Sequence, residues 1–417
     1  MVAARLWKIR APGPGAGVAQ AHTVMLFLAN WFWAFAAVAV PVFWLCPPRG
    51  RLLWLLIASL VFQWHFAGPA GMAPVLVLGV LTWAAGLSVQ RWRGWSAAGV
   101  VIVLLVAALA YYKYSAFLLA SFATLASQLG AAAPAWWSTW HGPAVPLGIS
   151  FFTFEYVHYL YEVRVHGRPP VRGPLHFAVF ALFFPTLAAG PIKRFPEFVP
   201  QLDQLTRPDW DTTWSSVGRL IRGLFKKICI ADLLVEVIQP LEATPHYTAP
   251  LVVLLAVLQG WRIYYDFSGY TDMAIGLAGL LNLRVPENFN RPYGSTSLQE
   301  FWRRWHMSLS TWIRDYVYIP LGGNRTRRSL NLLAAMVLCG LWHGAAWNFA
   351  AWGLFHGLGL AAETGVRRMV PGLFAETPAG RVFGWAVCYA YVSFGWLIFF
   401  YPLETVGRMT RALLVWS

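Results

Sequence analysis

The run Phe301-Trp302-Arg303-Arg304-Trp305-His306-Met307-Ser308-Leu309-Ser310-Thr311-Trp312-Ile313-Arg314-Asp315-Tyr316 decides how this chain is read, because it mixes large apolar side chains with charge at close spacing. Trp302, Trp305, Leu309, Trp312, Ile313 and Tyr316 recur at i, i+3 and i+4, which predicts one apolar face of a helix with His306 beside the stripe. Glu300, three arginines and Asp315 crowd the same stretch. A charge at the centre of a bilayer costs at least about 2.5 kcal/mol. The segment is therefore expected to be re-entrant or laid along an interface, its polar side toward a protein cavity.

A membrane is the setting because the rest of the chain demands one. Of 417 residues, 58% are hydrophobic and 12% charged, against roughly 25% charged in soluble domains. Runs of the length that crosses a bilayer recur at Val24 to Leu45, Leu52 to Ala67, Met72 to Val89, Ala97 to Tyr112, Tyr114 to Leu129, and after residue 174. They predict an all-α polytopic membrane protein with about 10 to 12 spans. The first run follows Arg5, Lys8 and Arg10 but exceeds the apolar core of about 7 to 15 residues typical of a signal peptide, so it reads as a retained span. The 24 Trp and 16 Tyr suit interfacial belts, with Trp92, Trp95, Tyr111 and Tyr112 at span ends. The net charge of +15 sits in short loops (Arg91 and Arg93, Arg164 to Arg172, Lys193 and Arg194, Arg325 to Arg328), which points to anionic lipid rather than nucleic acid. Cys46, Cys229, Cys339 and Cys388 lie far apart and read as small buried hydrophobes, not a disulfide framework or zinc site.

Texture divides the chain into a polar tail (1–23), scaffold spans with almost no internal polar atoms (24–140), a core (141–365) and a carboxy-terminal span and tail (366–417). In the core, Gly, Pro and ionisable residues break the apolar runs at Leu147-Gly148-Ile149-Ser150, Gly190-Pro191-Ile192-Lys193-Arg194, Tyr264 to Tyr270 and Ile319 to Asn324. Irregular backbone at membrane depth needs protein or a wet cavity to satisfy it, so this region is expected to line one. Leu202 to Trp214 reads as a loop. Val217 to Ile230, with Arg219, Arg222, Lys226 and Lys227, reads as an amphipathic interfacial helix.

A second histidine stands in Leu341-Trp342-His343-Gly344-Ala345-Ala346-Trp347, inside an apolar stretch, where an ionisable residue is a functional candidate by default. Gly344 leaves room for a substrate or another backbone to approach. His356 belongs to the same cavity or bonds a carbonyl, while His22, His65, His141 and His246 read as structural. Taken alone, His306 and His343 fit a catalytic pair, a proton relay or a metal pair. Metal is the weaker fit, since no carboxylate or thiolate lies at ligand spacing and no metal is expected. Imidazole suits acyl transfer because its pKa near 6.5 in water lets it accept a hydroxyl proton and return it to a thiolate. No Gly-x-Ser-x-Gly elbow marks a nucleophile, so direct transfer is simpler than a covalent intermediate.

The motifs Pro146 to Phe154, Ala189-Gly190-Pro191-Ile192, Tyr265 to Ala274, Asn288 to Tyr293, Glu300 to Asn324 and Trp342-His343-Gly344 resemble, in order, those of the membrane-bound O-acyltransferases, and within them the branch serving alginate O-acetylation. The resemblance implies a ring of transmembrane helices with re-entrant and interfacial helices around a central funnel. It implies catalysis by His306 and His343 and no bound cofactor. The donor would be an acyl-coenzyme A or carrier-protein thioester, the partner a periplasmic acetyltransferase, and the place the bacterial inner membrane. Arg303, Arg304, Arg314 and Asp315, with Trp305 and Ser308, are the candidate substrate and donor contacts, the arginines serving alternatively as lipid anchors. Departures are Tyr401 in place of a usual Arg, the stretch from Glu155 to Glu162 and a short carboxy terminus nearer the D-alanyl transferases of teichoic acid. D-alanyl transfer is thus the alternative, alongside a proton-coupled transporter and a non-catalytic scaffold.

Overall fold

A computed structural model describes residues 26–91, 96–187, 190–370 and 377–415. Residues 1–25 with Arg5, Lys8, Arg10 and His22, residues 92–95 with Trp92, Arg93 and Trp95, and Ala189 lie outside them. All regular elements among the described residues are helical. Pro48–Val89, Ala97–Gln128 and Pro378–Phe400 are long and apolar enough to cross a membrane. The first contains two arms of about 20 residues, each enough for a crossing, because Gly68 breaks it at φ 62°. Residues 97–112 and 114–129, two separate spans by sequence, form one rod through a π turn at Ala110–Tyr114. No Gly or Pro punctuates that junction, so the helix runs on.

Two aromatic cores flank the helix Ile149–Arg164. One gathers Phe62, Phe180, Phe183 and Phe184 with Tyr156 and Tyr159; the other gathers Trp305, Trp312, Trp342, Trp352 and Trp396 with Phe154. Phe154 stacks on Trp312 with centroids 3.8 Å apart, and Glu155 receives the Lys193 ammonium at 2.7 Å with both side chains buried. The unusual continuation from Glu155 to Glu162 thereby ties the helix to the Gly190–Arg194 loop and, through Glu162 and the Tyr316 hydroxyl at 2.7 Å, to the segment after His306.

The amphipathic segment starts earlier than its charges suggest. Asp209 caps Trp210–Leu224 by accepting from Thr212 N at 2.7 Å, and hydrogen bonding from Thr212 holds its carboxyl below the usual carboxylate range. Helix therefore begins inside the expected loop. Three of its four basic residues turn inward while Arg222 stays exposed: Arg219 and Lys226 bind Asp272, Arg219 also reaches Glu287, and Lys227 pairs with Asp232 and Asp266. Trp210, Trp214, Ile221, Phe225 and Ile228 are the exposed side. The segment is amphipathic with these three charges sewn to protein carboxylates rather than to headgroups: Asp266 and Asp272 on the helix Ala249–Leu280, Asp232 at the start of Asp232–Glu242, and Glu287 in the stretch beyond Leu280. Cys339 and Cys388 are buried as expected, but Cys46 is half-buried and Cys229 exposed, because Cys229 lies in the outward-facing π turn Phe225–Ala231.

The helices Arg328–His343 and Trp347–Met369 pack through glycine. A Cβ on Gly353 would run into the Met336 carbonyl, and one on Gly340 into that of Phe349. Gly353→Ala is expected to destabilise the protein by about 1–3 kcal/mol, seen as a lower thermal midpoint in detergent. An unchanged midpoint would show that this contact can open freely.

Candidate active site

His306 does not ride a continuous helix. Leu298–Arg304 and Met307–Ile313 are separate, and His306 between them adopts a left-handed conformation (φ 43°, ψ 54°). That geometry costs an L-residue roughly 1–2 kcal/mol and survives because neighbours enforce it. Met307 N donates to the Asn288 carbonyl at 2.9 Å, and Asn290 N to the Arg304 carbonyl at 3.0 Å. The Ser308 hydroxyl donates to Asn288 Oδ1 at 2.6 Å and accepts from Ile192 N at 3.1 Å. The expected apolar stripe is nevertheless buried, with Trp302, Trp305, Leu309, Trp312 and Ile313 all in the core. The break turns the imidazole inward.

His343 is the last residue of its helix and half-buried. Its ring lies 6.2 Å from that of His306, centroid to centroid. Phe267 stands perpendicular to His306 at 4.5 Å, while Trp352 and Phe399 stand perpendicular to His343 at 5.4 and 5.3 Å. The space beside Gly344 is filled by the Phe349 ring, so neither a substrate nor another backbone takes it. Both His306 nitrogens and the indole N–H groups of Trp302, Trp342, Trp352 and Trp396 have no hydrogen-bond partner among the described residues. An unpaired buried donor costs about 1–3 kcal/mol. These unpaired groups belong to the same Trp-rich core that holds His306.

The remaining candidates divide. Trp305 packs near the pair, against Phe289 and Trp396. Ser308 is spent on the clamp. Arg304 pairs with Glu300, Arg314 with Asp315 and Asp315 with Arg194, at the ends of the two short helices, and Arg303 is exposed. An open cleft of about 460 Å³, lined by Lys193, Arg194, Gln201 and Arg284 among others, adjoins the loop that bonds Ser308. His356 is fully buried with neither nitrogen bonded, so it holds no carbonyl; Trp352 separates it from His343, touching both. His65 stacks on Trp31.

Three residues escaped the sequence reading. Asn288 clamps the His306 turn, and a motif position was the only signal. His158 is a fully satisfied structural histidine: Nδ1 meets the Tyr316 hydroxyl at 2.6 Å and Nε2 accepts from Phe195 N at 3.0 Å. Lys113, inside the scaffold rod, reaches the Trp342 carbonyl and lies 3.3 Å from Ser150 Oγ. Being a lone charge in a long apolar run was its available signal.

Apolar helices long enough to cross a bilayer, with two neighbouring histidines in an aromatic core, define a membrane-embedded protein. Residues 103–402 match the model of the membrane-bound O-acyltransferase family. The chain is 38% identical over 400 residues to the "probable alginate O-acetylase" of Azotobacter vinelandii, covering 93% of this chain and 78% of that one. It is 31% identical over 396 residues to the peptidoglycan O-acetyltransferase of Helicobacter pylori (83% and 70% covered) and 33% over 226 residues to the teichoic acid D-alanyltransferase of Bacillus subtilis (50% and 56%). The chain belongs to the membrane-bound O-acyltransferase family, and it is an integral membrane O-acyltransferase.

Proposed function

We propose that this enzyme moves an acetyl group from a cytoplasmic thioester, acetyl-coenzyme A or an acetylated carrier protein, toward a hydroxyl acceptor across the bacterial inner membrane, supporting O-acetylation of an alginate-like exopolysaccharide with a periplasmic acetyltransferase as partner. The observation that carries it is the pair of imidazoles 6.2 Å apart in the aromatic core. His343, half-buried, takes the proton of the attacking hydroxyl as the C–O bond forms and the C–S bond breaks, and the imidazolium then protonates the departing thiolate. His306, its nitrogens unbonded by the described protein groups, orients the thioester carbonyl or the hydroxyl. Arg194 and Arg284 in the adjoining cleft suit the phosphates of the donor. Extent of similarity favours acetyl over D-alanyl transfer, since the matched D-alanyltransferase covers half the chain.

The test uses the protein in sealed vesicles with radiolabelled acetyl-coenzyme A outside and a polymannuronate with the periplasmic acetyltransferase of an alginate producer inside. Ester-linked label inside the vesicles is the expected result. Label no higher inside than in protein-free vesicles, with carrier thioesters as well as acetyl-coenzyme A, would contradict the proposal.

A further inference from the structure

The helix that delivers His343 ends abruptly. Its last carbonyls have no partners within the helix. Gly344 then leaves in an extended conformation (φ −163°, ψ 153°), so the chain does not turn back over them. The carbonyls of Leu341 and Trp342 are taken instead by consecutive residues of a distant segment: the Tyr114 hydroxyl donates to Leu341 O at 2.7 Å, and the Lys113 ammonium donates to Trp342 O.

Both donors sit in the π turn Ala110–Tyr114, in the middle of a rod otherwise apolar from Ala97 to Gln128. A π turn inside a helix is rare and recurs at functional positions, and a cation inside such a span is expensive unless it has a task. No carboxylate pairs with Lys113 among the described residues. Its contacts are the Trp342 carbonyl, Ser150 Oγ at 3.3 Å, and the faces of Tyr114 and Trp342 at 5.7 and 5.8 Å. Cations are favoured at helix C-termini, where the backbone dipole presents its negative end. Lys113 thus joins three parts of the protein at one point: the scaffold rod, the Gly148-Ile149-Ser150 motif, and the residue before His343.

We propose that Lys113 is a positioning residue for acyl transfer, clamping the end of the 328–343 helix from the scaffold rod and so fixing the His343 imidazole against His306. Tyr114 shares the task through Leu341. The inference rests on the reading of His343 as the base. Neither side chain enters the bond-making step; each acts on the backbone that carries the imidazole.

A clamp of this kind predicts a particular kinetic pattern, because a base displaced by about 1 Å can lose about 100-fold in rate while ground-state binding of the donor is untouched. Purified wild type, Lys113→Met, Lys113→Gln, Lys113→Arg, Tyr114→Phe and His343→Ala would be compared in lipid with radiolabelled acetyl thioester at saturating acceptor. Lys113→Met is expected to lower kcat by about 10- to 100-fold with the donor KM within about threefold of wild type. Lys113→Arg, which restores a cationic donor, should recover most of that loss, and Tyr114→Phe should lower kcat less than Lys113→Met. A purely structural lysine would shift folded yield and thermal midpoint without separating kcat from KM. If Lys113→Met does not reach the membrane, Lys113→Gln decides on the same criterion. Wild-type kcat in the folded Met or Gln variant, with His343→Ala inactive, overturns the clamp and leaves the site reading standing. Wild-type activity in His343→Ala overturns both.

Discussion

His343→Ala is expected to lower kcat for acetyl transfer by about 10²- to 10⁴-fold, the usual contribution of a positioned general base, and to leave the fold intact. The side chain sits at a helix end and is half-buried, and its perpendicular contacts with Trp352 and Phe399 are edge contacts rather than an anchor. Steady-state kinetics with a labelled thioester, on variant protein matched to wild type by size-exclusion profile, measures the effect. The corresponding change at His306 should be to Asn rather than Ala. Asn tolerates the left-handed conformation that the Asn288 and Arg304 carbonyls impose, so His306→Asn removes the imidazole without adding backbone strain.

Glu155→Ala is the largest stability effect expected, a loss of about 3–5 kcal/mol, because it leaves the buried Lys193 ammonium without a counter-charge, held by the Thr186 hydroxyl at 2.9 Å and the Phe180 and Phe198 ring faces. Replacing both partners with apolar residues, Glu155→Leu with Lys193→Met, should return most of that stability, since the uncompensated charge goes with the pair. Denaturation in detergent micelles reads both. A single variant as stable as wild type would mean that water reaches Lys193.

Much of this architecture was legible in the residues. Span-length apolar runs identified a helical membrane protein, and the Trp-rich stretch around His306 identified a segment that could not be an ordinary span. The break within that stretch was not legible. Periodicity sees only that Trp302, Trp305 and Trp312 all seek the core, and two short helices meeting at a left-handed residue bury them as well as one straight helix would. The inward turn of Arg219, Lys226 and Lys227 was equally hidden, because a basic stripe looks the same whether it faces phosphate headgroups or Asp266 and Asp272 on another helix. Lys113 shows the opposite case: the charge inside an apolar run was in view, but its target, the carbonyl before His343, lies more than two hundred residues away and only the fold brings them together.

The central claim is that His306 and His343 form a single catalytic unit, and a double-mutant cycle tests it most directly. Acetyl-transfer rates would be measured in lipid for wild type, His343→Ala, His306→Asn and the double variant. Groups that act on one transition state are strongly non-additive, so the double variant is predicted to be about as slow as the slower single variant. Losses that multiply would assign the histidines to independent tasks, and a wild-type rate in either single variant would remove that residue from the site.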